Sequence, residues 1–67
     1  MKLEDCYVGQ KVNITTQEPP DFKKYVSPGE VTQVNLDVPF QNVVVNCPDI
    51  SDHMLFYEDN CDMLSPR

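Results

Sequence analysis

Hydrophobic and polar positions alternate along most of this chain. β-Branched residues fall in short runs bounded by turn formers, the period of half-buried strands. From Tyr7 to Thr15, Val8, Val12 and Ile14 point one way while Lys11, Asn13 and Thr15 point the other, which predicts a first strand. Gln17 to Pro28 breaks the pattern with Pro19-Pro20, Asp21, Lys23-Lys24 and Ser27-Pro28. Proline cannot donate to a ladder, so this stretch reads as a long early loop and not as a central strand. Loops of about 12 residues inside a small domain are usually functional or mobile.

Gly29 opens a second predicted strand, Glu30 to Val38, in which Val34, Leu36 and Val38 share a face and Val31 is out of phase. A β-bulge near Thr32-Gln33 would restore the phase and bend the strand. After a turn at Pro39 to Asn42, a third strand points Val43, Val45 and Cys47 inward and Val44 outward. Cys47 to Asp52 is a turn, its Asp and Ser side chains able to bond their own backbone. His53 to Tyr57 makes a fourth strand. Glu58 to Leu64 suits one short helical turn near the C-terminus, capped by Asp59 or Asn60. A fifth strand would be very short, around Met63 to Ser65.

Four or five short strands with one bent member predict an all-β fold that closes on itself, since a small open sheet leaves two edges and an uncovered apolar face. The segment order resembles the SH3-like small barrel with a KOW-like or Tudor-like core. The residues carrying the likeness are Val8-Gly9-Gln10-Lys11-Val12, Gly29 to Val34, Val43-Val44-Val45, and Phe56 followed by Leu64 after an acidic turn. The resemblance spans nearly the whole chain and implies a single SH3-like barrel of about five antiparallel strands over residues 1–67. It also implies a binding module for peptides, nucleic acid or larger assemblies. The chain departs from those functional patterns: Glu30 stands where a KOW-type surface would be basic, and there is no Trp for a proline-peptide groove. The short length and acidic balance also resemble accessory proteins of tailed bacteriophages.

The length of 67 residues limits the core, because so small a domain buries only about 60% of its unfolded surface. The formal charge is −6, and it is uneven. Residues 1–30 hold four Lys against five acids, whereas residues 31–67 hold one Arg against six. Few cations are left to neutralise phosphates, so direct nucleic-acid binding is disfavoured. A protein partner with a basic surface fits better. No apolar stretch approaches the roughly 18 residues of a membrane span, and no signal-peptide core follows Lys2, which together predict a cytoplasmic protein without membrane contact.

Cys6, Cys47 and Cys61 form an odd set without a C-x-x-C pair, so no disulfide framework is expected. With His53 they have the chemistry of a zinc site but not its spacing. The closest two are separated by five residues, where structural sites use ligand pairs two to four apart. A Cys–His nucleophile lacks any nearby oxyanion hole. No metal, cofactor or catalysis is expected.

These readings converge on a small, non-catalytic protein-binding module. Its expected contact residues are Phe22, Lys23, Lys24 and Tyr25 in the long loop, with Asp59 and Asp62 at an acidic end. Exposed aromatic residues at Phe22, Tyr25 and Phe40 would form a recognition patch. The alternatives are a structural component that self-associates, as a homodimer or part of an assembly, and an acidic protein that occupies a nucleic-acid-binding groove.

Overall fold

A computed structural model describes residues 1–67. Five antiparallel strands form one sheet: β1 (Lys11–Glu18), β2 (Lys23–Asn35), β3 (Asn42–Cys47), β4 (Ser51–Tyr57) and β5 (Leu64–Pro66). The order is β4-β3-β2-β1-β5. Short 3-10 turns at Leu3–Asp5 and Cys61–Met63 precede β1 and β5. The first was not foreseen, and the second lacks the expected side-chain cap. Asn60 instead accepts the Tyr57 amide on its Oδ1 at 2.6 Å.

The sheet is open. β4 and β5 lie at opposite edges and are not hydrogen-bonded to each other, which overturns the expected SH3-like barrel. The three residues of β5 pair with Val12 to Ile14 of β1, and Pro66 brings no amide for a second ladder. The apolar face is covered by other means. Leu3 and Cys6, from the N-terminal turn, join Val12, Ile14, Val31, Val43, Val45, Cys47, Phe56 and Leu64 in one buried cluster. Met1, Leu36, Met54 and Met63 pack around its margin. The N-terminal amine donates to the carbonyls of Cys61 and Leu64, at 3.3 and 3.2 Å, which holds this cover against β5.

The alternation behind the core is as expected in β3, where Val43, Val45 and Cys47 are fully buried, but Val44 on the opposite face is buried too. The bulge lies where the phase change requires it: the β2–β3 register shifts between Val31 and Gln33. There the Thr32 hydroxyl donates to the Val44 carbonyl at 3.3 Å. Val8, expected inside, is exposed in a tight turn before β1. Gly9 allows that turn with φ of 89°, and its amide donates to the Val31 carbonyl at 2.8 Å.

The largest departure concerns the expected loop at Gln17 to Pro28. Most of it is strand: β1 runs on to Glu18, β2 begins at Lys23, and Glu18 faces Lys23 across a four-residue turn. Pro28 fits because of where its missing donor points. The Arg67 amide donates to the Lys11 carbonyl, so Lys11, and by alternation Asn13, turn their backbone groups toward β5. Asn13 and Pro28 are therefore a non-hydrogen-bonded pair. The nitrogen of Pro28 faces away from β1, on a side where β3 pairing starts only at Glu30.

Candidate functional site

β5 covers β1 only at Val12 to Ile14, and β3 covers β2 only from Glu30 onward. Thr15 to Glu18 and Lys23 to Val26 consequently pair with each other and with no third strand. They form a two-stranded arm that extends the molecule to 38 × 21 × 18 Å. At about 3.3 Å per residue, its four paired positions span roughly 13 Å. The turn at its tip carries a cis Pro19–Pro20 bond and Phe22, whose φ is 53°. Left-handed backbone is unfavourable for an aromatic residue, by about 1–2 kcal/mol. Two side-chain bonds brace it: Gln17 Nε2 donates to the Phe22 carbonyl at 3.3 Å, and the Lys23 amide to Asp21 Oδ1 at 3.4 Å.

Four of the six expected site residues lie on this arm. Phe22 is at the tip and 61% exposed, and Tyr25 is 45% exposed. The Lys23 ammonium lies 5.6 Å from the centroid of the Tyr25 ring, within cation–π range. Register places Tyr25 opposite Thr16 and Lys23 opposite Glu18, on the face that continues the core side of the sheet. There Thr16, Glu18, Tyr25, Ser27 and Ile50 line a shallow hollow of about 480 Å³. Lys24 and Val26 occupy the other face, and Val26 is a further exposed apolar residue that the loop reading concealed.

The acidic pair does not form one surface. Asp62 lines a hollow with Thr15, Gln17, Lys24 and Met63, at the base of the arm. Asp59 belongs to a different groove, lined by Val38, Pro39, Phe40, Gln41, Tyr57 and Glu58. That groove lies by the β2–β3 turn, at the opposite end of β2 from the arm tip. Asp49 and Asp52 sit at the start of β4 and Glu58 and Asp59 just past its end, so the carboxylates flank β4 instead of gathering at one end.

The fold separates Cys47 from His53 while bringing Cys6 and Cys61 near each other. Cys47 is fully buried in the core, whereas His53 is exposed on β4. All three thiols are free. Burial pushes the Cys6 thiol above its ordinary value, and the neighbouring Cys61 acts in the same direction. No three of His, Cys, Asp and Glu converge as metal ligands would. Beside the arm, Lys11 Nζ pairs with Glu30 Oε1, and this contact holds the Glu30 carboxyl below its usual range. The pair is exposed and contributes little to stability.

No family model, curated protein or solved structure matches this chain. The open sheet removes the barrel resemblance, and no match carries the likeness to phage accessory proteins. No helix is long and apolar enough to cross a membrane.

Proposed function

We propose that this protein is a non-catalytic module that binds another protein through the β1–β2 arm. The observation that carries this reading is the arm itself. It projects beyond the sheet, contributes nothing to the buried cluster, and displays Phe22, Tyr25 and Val26 to solvent. Exposed aromatic side chains beside lysines are the composition of an interface anchor. The unfavourable backbone at Phe22 supports the same reading, because that ring is mostly exposed and adds nothing to the buried cluster in return. The three free thiols suit a reducing compartment, in keeping with a cytoplasmic location.

The double substitution Phe22→Ala and Tyr25→Ala should leave the unfolding free energy, measured in urea, within about 0.5 kcal/mol of the parent. It should also weaken capture of the partner from a lysate of the native cell at least tenfold, as loss of two interface anchors would. Unchanged capture would remove the arm from the proposal.

A second reading, self-association, is favoured by the unpaired outer edge of β4. That edge is seven residues long and has neither Pro nor Lys to block pairing. An unfolding midpoint that rises with protein concentration is the expected sign. A constant midpoint with monomeric mass in light scattering would eliminate it.

A further inference from the structure

The groove at the far end of β2 is a second, separate feature. Its two walls are held by side-chain bonds. On one, Gln41 Nε2 donates to the Leu36 carbonyl at 2.6 Å, Asn42 Nδ2 to the Phe40 carbonyl at 2.8 Å, and Asn35 Nδ2 to Asn42 Oδ1 at 2.9 Å. On the other, Asn60 receives the Tyr57 amide and returns its own amide to the Tyr57 carbonyl at 3.2 Å. Between these braced turns lies a cavity of about 440 Å³. Phe40 stands beside it 79% exposed, Tyr57 is 39% exposed, and Glu58 and Asp59 complete the lining. A second hollow of about 490 Å³ shares Gln41 and Glu58 with the first and adds Lys2, Leu3, Glu4, Leu36 and Cys61, so a single cation, Lys2, stands beyond Glu58 and outside the Phe40 groove.

Charge identifies the occupant. Between Lys24 and Arg67 the chain has no Lys or Arg, while seven carboxylates lie in that interval. The groove by Phe40 has no cation in its lining. Aromatic rings flanked by unpaired carboxylates match one side chain well. A guanidinium is planar, stacks on rings and bonds carboxylates through its fork of donors, whereas an ammonium is a compact and more strongly hydrated charge.

We infer that the groove formed by Val38 to Gln41 and Tyr57 to Asp59 takes an arginine side chain from an extended segment of a partner protein. The guanidinium stacks against Phe40 or Tyr57 and pairs with Glu58 or Asp59, and neighbouring apolar residues of the segment lie along Val38 and Pro39. This inference deepens the protein-binding reading but uses a surface at the opposite end of β2 from the arm, so either can fail alone.

The test titrates the full chain, labelled with nitrogen-15, with the capped tripeptide acetyl-Pro-Arg-Val-amide and with its lysine and citrulline counterparts. Amide shifts should move at Val38, Phe40 to Asn42 and Tyr57 to Asn60, and not in the arm. The lysine peptide should bind several-fold more weakly and the uncharged citrulline peptide not measurably. Phe40→Ala and the double change Glu58→Gln with Asp59→Asn should each weaken the arginine peptide about tenfold, the loss expected for one charge-assisted contact. Both sites are exposed, and an unchanged urea midpoint confirms that the variants fold. The inference is overturned if no shifts occur, if they fall outside the groove, if citrulline binds as well as arginine, or if neither variant weakens binding. It is equally overturned if the same amides move with protein concentration alone, which would make a second copy the occupant, through its own Arg67.

Discussion

Replacing Phe56 with Ala should remove a large share of the protein's stability. Phe56 is the largest fully buried side chain, and it faces Val43 across the β3–β4 ladder in the centre of the cluster. Truncating a buried Phe costs about 3–5 kcal/mol, through lost transfer energy and the cavity left behind. At about 0.05–0.15 kcal/mol per residue, a chain of this length has roughly 3–10 kcal/mol in total. The loss therefore takes at least about a third of the total and, at the lower end of that range, all of it. Phe56→Leu keeps most of the volume and should cost only about 1–2 kcal/mol. The informative partner is Leu55→Ala, one residue away on the opposite face and exposed, which should shift stability by no more than about 0.5 kcal/mol. Urea denaturation measures all three. Because a one-residue slip exchanges the two faces, equal losses at 55 and 56 would show that β4 is not in the register Val43 to Phe56.

The second large effect is expected at Gly29, where β2 lies over the core. A Cβ there would stand 2.9 Å from Val45 Cγ1, 3.1 Å from the Asn46 carbonyl oxygen and 3.2 Å from Ile14 Cδ1. The first and third contacts are side-chain tips and can yield, but the second is backbone of the adjacent strand. Overpacking of this kind costs about 1–3 kcal/mol, so Gly29→Ala should lower the urea midpoint clearly and Gly29→Val should lower it further. A double-mutant cycle identifies the cause. Val45→Ala is destabilising alone, yet combined with Gly29→Ala it should lose less than the two separate losses added together, because the atom in closest conflict has gone. Strict additivity would mean that the cost of Gly29→Ala arises elsewhere. Gly9 is the contrasting position: nothing lies within 4 Å of an added Cβ, and its positive φ alone opposes a side chain.

Much of the sheet can be read from the chain because its cause is local. Alternation at Val43, Val45 and Cys47 follows directly from the pleat, and the phase change at Val31 can be resolved only by an extra residue, which is Thr32. The short β5 was placed to within a residue. The arm is not legible in the sequence because the effect of a proline depends on which strands become its neighbours. A Pro argues against a strand only where its nitrogen should donate, and Pro28 faces a side with no partner. Barrel closure failed for a related reason. It was argued from the need to cover an apolar face, and Leu3 and Cys6, sixty residues from the last strand, supply that cover instead. The candidate site was half legible. Phe22, Lys23, Lys24 and Tyr25 were singled out and do sit together, though on a strand end and its turn. Joining Asp59 to Asp62 was an inference from sequence proximity, and the 3-10 turn at Cys61–Met63 sends them to different hollows.

The independence of the arm from the buried cluster bears on how this molecule can change over generations. Substitution at Phe22, Tyr25 or Val26 meets almost no penalty in folding, while the same change at Val12 or Ile14, further along the same hairpin, threatens the fold. Loop tips of this kind also tolerate insertion. Selection for a new partner can therefore act on the tip while selection for foldedness acts on the base. The part free to vary and the part that must persist are thus separated along the same two strands.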